Sequence, residues 1–142
     1  MTTKRHFLLS ILLASVVACG VLQETPAQTR KRLSSTDKAF QVFFVKFRTD
    51  VVRKNKSAVA SVTKFPFKYG FDAGDEGTFS RSQFISRFND IFGGQERVFR
   101  LKDPMFYASS GRYELVNEDD ASHFIFRKIG GRYRFVSFLS EP

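Results

Sequence analysis

The chain has 142 residues, with 23 Lys and Arg against 14 Asp and Glu, and its formal net charge is +9. This length favours one domain over two, because a single core commonly takes about 100 to 150 residues. The hydrophobic content of 42% is too high for a disordered chain, and the charged content of 26% is too high for a protein that crosses a membrane several times. A soluble globular domain remains. We expect its core to be built from the 18 Phe and 4 Tyr, since the chain has no Trp.

Residues 1–18 follow the charged, apolar, small-residue order that is typical of a secretory signal peptide. Lys4 and Arg5 precede an apolar run from Phe7 to Val17, which small residues follow. The run is 11 residues long, well short of the roughly 20 that a permanent membrane-spanning helix needs. We therefore expect residues 1–18 to be removed.

The end of this segment, Val16-Val17-Ala18-Cys19, resembles the lipobox of bacterial lipoproteins. The resemblance implies cleavage after Ala18, a diacylglyceryl thioether on Cys19 and acylation of the new amino terminus. Cys19 is the only cysteine of the chain, and two or three acyl chains would hold the protein stably on a membrane. Gly20 replaces the Asp that retains many such lipoproteins at the inner membrane, which favours the outer membrane. The alternative is an ordinary signal peptide with an incidental cysteine.

Residues 19–36 form the predicted tether between the lipid and the domain. They lack a periodic apolar pattern and are rich in Gln, Thr and Ser, which is typical of a flexible linker. The basic triplet Arg30-Lys31-Arg32 either attracts anionic head groups or is solvated without a partner. The domain itself is then expected to span residues 37–142.

The first helix is predicted over Asp37 to Lys54. Apolar residues recur there at spacings of three, four and seven, which is the pattern of one helical face. A hydroxyl of Ser35 or Thr36 is expected to cap it. The residues of the stripe are Phe40, Phe43, Phe44, Phe47 and Val51.

A shorter second helix is predicted over Ser57 to Lys64. It ends before Phe65-Pro66, because proline disfavours helical geometry in the residue that precedes it. Residues 69–77, rich in Gly and acidic side chains, are expected to form a loop.

A third helix is predicted to begin at Ser80, which forms a capping-box pattern with Gln83. Its apolar residues continue to Phe92, and Gly93-Gly94 is expected to end it.

Strand patterns follow from Arg97 onward, with Gly130-Gly131 as a two-residue hairpin turn. Three N-terminal helices followed by about four or five antiparallel strands predict an α+β fold in which the helices cover one face of a sheet. The predicted strands are Val98-Phe99, Met105 to Ala108, Arg112 to Val116, His123 to Lys128 and Arg132 to Leu139.

The order of several aromatic segments carries a family resemblance. They are Phe40-x-x-Phe43-Phe44-x-x-Phe47, Phe65-Pro66, Ser82-Gln83-Phe84-Ile85-x-x-Phe88 with Ile91-Phe92, and the terminal hairpin from Phe124 to Phe135. Together they resemble the nuclear transport factor 2-like superfamily, a cystatin-like cone, and within it small secreted bacterial members of unassigned function. The resemblance implies three helices wrapped against a strongly curved sheet with a pocket between them, and frequent homodimers. The same cone serves isomerases, dehydratases, transport adaptors and binding modules, so the fold does not select a function.

Nine aromatic residues are candidates for the lining of such a pocket. An apolar pocket with few polar groups would suit a hydrophobic or lipid-like small ligand. The alternative is that most of these rings are simply core. The nine are Phe43, Phe47, Tyr69, Phe71, Phe88, Phe92, Tyr107, Phe124 and Phe126.

Catalysis of the isomerase or dehydratase type in the cone pocket is the alternative function. It needs a carboxylate base and acidic hydrogen-bond donors in a pocket that excludes water. Asp50, Asp72 and Asp90 fall near helix ends or in loops, and none matches the base of the family. We therefore predict no catalytic residue.

No metal ion or other cofactor is expected. His123, the only histidine outside the leader, cannot build a zinc site alone, and we expect it at a rim or facing solvent. The acidic loop over residues 72–77 lacks an oxygen ligand at its third position and has Gln83 at its twelfth, which argues against calcium.

Basic residues alternate with aromatic residues in the second half of the chain, but the leader exports the protein, so nucleic acid is not an expected partner. We expect a membrane-anchored extracytoplasmic lipoprotein of the cell envelope that acts as a ligand-binding or protein-interaction module. The membrane through Cys19, an apolar small ligand, an envelope protein and a second copy of the chain are the candidate partners. The basic residues concerned are Arg97, Arg100, Lys102, Arg127, Lys128, Arg132 and Arg134.

Overall fold

The computed structural model describes residues 27–71 and 74–140. The predicted signal peptide, the lipobox with Cys19, the first part of the predicted tether and Asp72 lie outside the described residues. Within the described ranges, no helix combines the length and the apolar character that crossing a membrane would require.

The first helix, α1, covers Lys38–Val52, where the Phe stripe predicted a helix. The stripe faces the core, since Phe40, Phe44 and Phe47 are at most 1% exposed. The predicted hydroxyl cap was wrong. The carboxylate of Asp37 accepts the hydrogen bond from the backbone N–H of Phe40 instead, while the Ser35 and Thr36 hydroxyls donate to the carbonyls of the turn before them.

The second helix, α2, is shorter than predicted and covers Lys56–Ser61. The chain leaves it directly into strand β2, Thr63–Gly70, which contains Phe65-Pro66. The proline restricts the residue before it to extended backbone, and this conformation is compatible with the end of a helix and with a strand. Strand β3, Glu76–Phe79, pairs with β2 across the predicted loop.

The third predicted helix is confirmed at its start and interrupted in its middle. Ser80 and Gln83 form both hydrogen bonds of the capping box. The helix is then divided at Arg87 into α3, Arg81–Ser86, and α4, Phe88–Phe92.

Helix α5, Glu96–Arg100, stands where a strand was predicted at Val98-Phe99. Both apolar residues are buried, and a short pair of this kind fits a helix as well as a strand. Glu96 in the first turn and Arg100 in the last turn give the order of charges that the helix dipole favours.

Four of the remaining strands match the predicted ones closely, and positive φ angles at Gly130 and Gly131 form the predicted turn between the last two. The four are β4 (Met105–Ser109), β5 (Arg112–Asn117), β6 (Ser122–Ile129) and β7 (Arg132–Ser140). The fifth, β1 (Thr29–Arg32), was not predicted. The sheet order is β1-β4-β5-β6-β7-β2-β3. Neighbouring strands are antiparallel except β2 and β7, which run parallel.

Strand β1 shows that the predicted flexible tether was wrong for its last residues. It pairs with β4, with Arg32 opposite Met105. A 3-10 turn, Leu33–Ser35, follows and buries Leu33, whose N–H donates to the carbonyl of Pro104 at 2.9 Å. All four residues of β1 are exposed, so this edge strand carries no apolar pattern in the sequence.

The core lies between the helices and one face of the sheet. Phe44 meets Phe106 and Phe126 edge to face, with ring centroids 4.9 and 5.7 Å away, a favoured geometry for aromatic pairs. The α+β class is confirmed. The predicted element counts were too low, because the described residues form five α-helices and a seven-stranded sheet that is not purely antiparallel.

Candidate ligand-binding cleft

Five of the nine aromatic residues predicted to line a pocket are core residues. Each is at most 3% exposed, and they pack ring against ring. Phe47 meets Phe126 edge to face at 5.1 Å between ring centroids, and Phe92 stacks on Phe124 at 5.9 Å. These rings fill the space that an open pocket between the helices and the sheet would need. The five are Phe47, Phe88, Phe92, Phe124 and Phe126.

The other four predicted lining residues lie in three separate places. Phe43 is half-buried on α1, against the edge of the core. Tyr69 and Phe71 lie together at the end of β2, with ring centroids 5.1 Å apart. Tyr107 neighbours the buried Phe106 on β4 and therefore faces the other side of the sheet.

An open cleft of about 470 Å³ lies where β1, β4 and β5 meet α5 and the β5–β6 turn. This volume is in the range of small-molecule binding sites. The cleft is drawn from three stretches far apart in sequence, 30–32, 97–105 and 115–119.

The floor of the cleft is apolar. Leu101 is 46% exposed and Met105 36%, and both line it together with Val98 and Leu115, which belong to the core. Covering exposed apolar surface contributes about 25 cal/mol for each Å² removed from water. The floor therefore favours a ligand with an apolar part.

Two ion pairs close the sides of the cleft. Arg30 Nη2 lies 3.2 Å from Glu118 Oε1, and Arg97 Nη1 lies 2.6 Å from Asp119 Oδ2. All four side chains are more than half exposed, so these pairs contribute little to stability. The two charges of each pair neutralise one another, so the net charge of the cleft depends on its other charged residues.

Arg32 and Lys102 are the rim cations without such partners. Within the part of the chain that the structure describes, neither side chain makes a hydrogen bond or an ion pair, although both lie near Asp103. Asp103 accepts hydrogen bonds from the N–H and the hydroxyl of Ser34, at 2.9 and 3.0 Å. The Ser34 N–H contributes most to lowering the pKa of Asp103, and the two cations lower it further. Asp103 thus stays ionised and tied to the backbone, and the two cations are exposed.

A polar network supports the far wall of the cleft. The buried Gln95 donates from Nε2 to Asp120 and to the Ser122 hydroxyl, and its Oε1 accepts from Asn117 Nδ2 at 2.8 Å. These bonds tie the β5–β6 turn to the start of α5. Because buried polar networks that are fully satisfied rigidify their surroundings, the cleft has a fixed wall.

The carboxylates considered for catalysis are engaged elsewhere. Asp50 pairs with Lys46 at 2.6 Å and Asp90 with Arg87 at 2.7 Å. Asp72 lies outside the described residues.

A carboxylate with two acidic donors does exist at Asp37, which no sequence pattern singled out. Its Oδ2 accepts from the hydroxyls of Tyr113 at 3.0 Å and Tyr133 at 2.5 Å, while Oδ1 caps α1 at Phe40. Every one of these groups is already bonded, so the cluster fastens α1 to the sheet.

His123 lies half-buried on the face of the sheet away from the helices, with Nδ1 2.6 Å from Glu114 Oε1. Arg112 Nη2 pairs with the other oxygen of Glu114 at 2.6 Å. Across the described ranges, no three His, Cys, Asp or Glu side chains are grouped so that they could hold a metal ion.

No family model and no curated protein matches the chain. Among solved structures it is similar to a protein of unknown function with a cystatin-like fold from Nostoc punctiforme, at 8% identity and a TM-score of 0.42 over 72% of this chain and 88% of that one. It is also similar to an NTF2-like protein of unknown function from Shewanella oneidensis, at 10% identity and a TM-score of 0.39 over 71% of this chain and 95% of that one.

A third similar structure is an NTF2-like protein with a cystatin-like fold from Novosphingobium aromaticivorans, at 12% identity and a TM-score of 0.39 over 73% of this chain and 79% of that one. At these identities and TM-scores, the likeness carries no function over to this chain.

The sequence contained only a partial signal for the cleft. Arg97 and Lys102 are among the basic residues that alternate with aromatics, and the Arg30-Lys31-Arg32 triplet was placed in the tether. Only the pairing of β1 with β4 brings these two groups of cations together.

Proposed function

We propose that the chain is a membrane-anchored extracytoplasmic lipoprotein, held by lipid on Cys19, whose nuclear transport factor 2-like domain is a ligand-binding module. The outer membrane is the favoured location. The observation that supports binding is the β1–α5 cleft, because exposed apolar side chains and unpaired cations converge there.

The chemistry of the cleft favours a small amphiphilic anion. Leu101 and Met105 would cover an apolar body, and Arg32 and Lys102 would contact a carboxylate, sulfonate or phosphate at its end. Binding rather than catalysis is proposed because no carboxylate among the described cleft residues is held in an environment that would make it a base. Asp103 has a lowered pKa, and Glu118 and Asp119 are exposed and paired.

The test is a titration with anilinonaphthalene sulfonate, a fluorescent anion with an apolar body, using the unacylated chain that carries Cys19→Ser. We expect Arg32→Gln with Lys102→Gln to weaken binding about tenfold or more, since a hydrogen bond to a charged group contributes about 1.5 to 3 kcal/mol. Octanoate should compete with the probe, and octanol should compete less.

The matched control is Arg53→Gln with Lys54→Gln, which removes the same two charges at the end of α1, outside the cleft. Its affinity should equal that of the parent chain. Equal loss in both double variants, or no loss in either, would show that the probe does not bind through the cleft cations.

A further inference from the structure

One end of the sheet carries a row of like charges. There, Arg112 on β5 lies opposite Arg127 on β6, which lies opposite Arg134 on β7. Residues opposite in register share a face, so three arginines stand side by side on three adjacent strands. Like charges in direct opposition destabilise a sheet.

The row of arginines is only partly compensated. Arg112 pairs with Glu114 at 2.6 Å, and Arg134 donates to the Ser61 carbonyl at 2.8 Å. Arg127, between them, has no hydrogen-bond or ion-pair partner for its side chain among the described residues. A local arrangement that costs stability is typical of a functional surface.

Further cations and an exposed apolar residue surround this row. A groove of about 410 Å³ lies beside it, lined also by Lys64 and Lys68 of β2, and no Asp or Glu is among the described residues that line it. At the tip of the β6–β7 hairpin, Ile129 is 41% exposed next to Lys128. We call the basic end the set Lys64, Arg112, Arg127, Lys128, Arg132 and Arg134.

The chain also enters the sheet at the basic end. Thr29, the first residue of β1, lies opposite Ala108, which lies opposite Tyr113, the neighbour of Arg112. Cys19 is ten positions before Thr29. Ten residues reach at most about 35 Å, so a lipid on Cys19 would keep the start of β1 within that distance of the membrane.

The acidic turns lie at the other end of the sheet. Glu118, Asp119 and Asp120 form the β5–β6 turn, and Glu76 begins β3 beside the end of β2. The six residues of β5 separate the two ends by roughly 17 Å. Because charges are screened over about 8 to 10 Å at physiological salt, an anionic surface at the basic end is not repelled by the acidic turns.

We infer that the basic end docks on the anionic lipid surface of the membrane that carries the anchor. The inference deepens the proposed function, since it names the surface that meets the membrane. Ile129 lies among the head groups in this orientation, and the six cations lie at the level of the phosphates. The cleft, at the Asn117 end of β5, faces away from the membrane and stays open to a ligand.

The test measures binding of the unacylated Cys19→Ser chain to vesicles of three parts phosphatidylglycerol and seven parts phosphatidylcholine. Each Lys or Arg near an anionic surface strengthens binding about fivefold. The triple variant Arg127→Gln, Lys128→Gln, Arg132→Gln should therefore bind about a hundredfold more weakly. Its thermal unfolding temperature should not fall, because these side chains are exposed and the loss of Arg127 relieves repulsion in the row of arginines.

The control removes three cations from the helical side, Arg53→Gln, Lys54→Gln and Arg100→Gln, and has the same net charge as the triple variant. It should bind nearly as the parent does. The inference is overturned if both triple variants bind equally weakly. It is also overturned if the parent binds vesicles of phosphatidylcholine alone as strongly as the anionic vesicles.

Orientation is measured directly with an environment-sensitive dye. The Cys19→Ser chain has no other cysteine, so Ile129→Cys and Glu76→Cys each give one labelling site. Anionic vesicles should shift the emission of the dye at position 129 to the blue and leave that at position 76 unchanged. A shift at 76 alone, or at both, contradicts the orientation. Because the chain is unacylated, this result stands or falls separately from lipidation of Cys19.

Discussion

Asp37 links the first helix to the sheet through a single side chain. It caps α1 at the Phe40 N–H and accepts hydrogen bonds from Tyr113 and Tyr133, which are on β5 and β7. Phe40 stacks on the Tyr113 ring with centroids 3.9 Å apart, so the polar contact borders the aromatic core.

Replacing Asp37 with Ala should lower the free energy of unfolding by about 2 to 3 kcal/mol, from a lost cap and two lost hydrogen bonds. Unfolding in urea measures this free energy. Asp90→Ala, which removes an exposed pair with Arg87, should change stability by less than about 0.5 kcal/mol. A loss no larger for Asp37→Ala than for Asp90→Ala would contradict this role.

The same cluster predicts the dependence of stability on pH. Burial opposes ionisation of Asp37, but the hydrogen bonds from Tyr133, the Phe40 N–H and Tyr113 outweigh it and lower its pKa. Burial and then the hydrogen bond to Asp37 raise the pKa of Tyr133. The Asp37 contribution is present above about pH 4 and is lost as the pH falls through the lowered pKa. The Tyr133 contribution is present below about pH 10 and decreases as the pH rises.

Unfolding in urea across this pH range measures both effects, and Tyr133→Phe should flatten the alkaline decrease. If stability decreases equally with rising pH in the parent and in Tyr133→Phe, the cluster does not raise the pKa of Tyr133.

The sequence could not single out Asp37, for two physical reasons. Three consecutive residues, Ser35, Thr36 and Asp37, can each cap a helix, and the choice depends on the turn before them. The tyrosines that complete the cluster are 76 and 96 positions away. Only the assembled sheet brings them to the start of α1.

At the scale of elements, periodic apolar patterns were sufficient to predict α1 and the strands from β4 to β7. They did not predict elements that are short or lie at an edge of the sheet. Val98-Phe99 is a two-residue apolar pair that fits either helix or strand, and β1 has four exposed polar residues. The hydrogen bonds of an edge strand come from its neighbour, which local sequence does not show.

The start of the domain is tested at Leu33, which is 6% exposed and follows β1. If β1 is part of the fold, Leu33→Ala should lower the free energy of unfolding by about 2 to 4 kcal/mol, the usual range for a buried leucine. Leu101→Ala, at a residue 46% exposed, is the matched control and should cost less than about 1 kcal/mol. If both substitutions have equally small effects on stability, residues 29–36 are not part of the fold and belong to the tether.

At the scale of the whole molecule, the aromatic core and the charged ends have separate roles. The rings fill the interior, so the two proposed binding surfaces, the cleft and the basic end, lie outside it. A homodimer through the outer face of the sheet would bring two rows of Arg112, Arg127 and Arg134 together, and repulsion between them opposes that assembly. An anionic membrane has the opposite charge, which favours the proposed contact with the basic end.

The proposed lipid anchor is tested by the intact mass of the protein extracted from a bacterial membrane fraction, beside that of a Cys19→Ala variant. We expect the parent to begin at Cys19 and to carry added acyl mass, and the variant to lack that mass and leave the membrane fraction. A parent protein that is unacylated and is recovered free of the membrane would contradict the anchor, and with it the proposal of a membrane-anchored binding module.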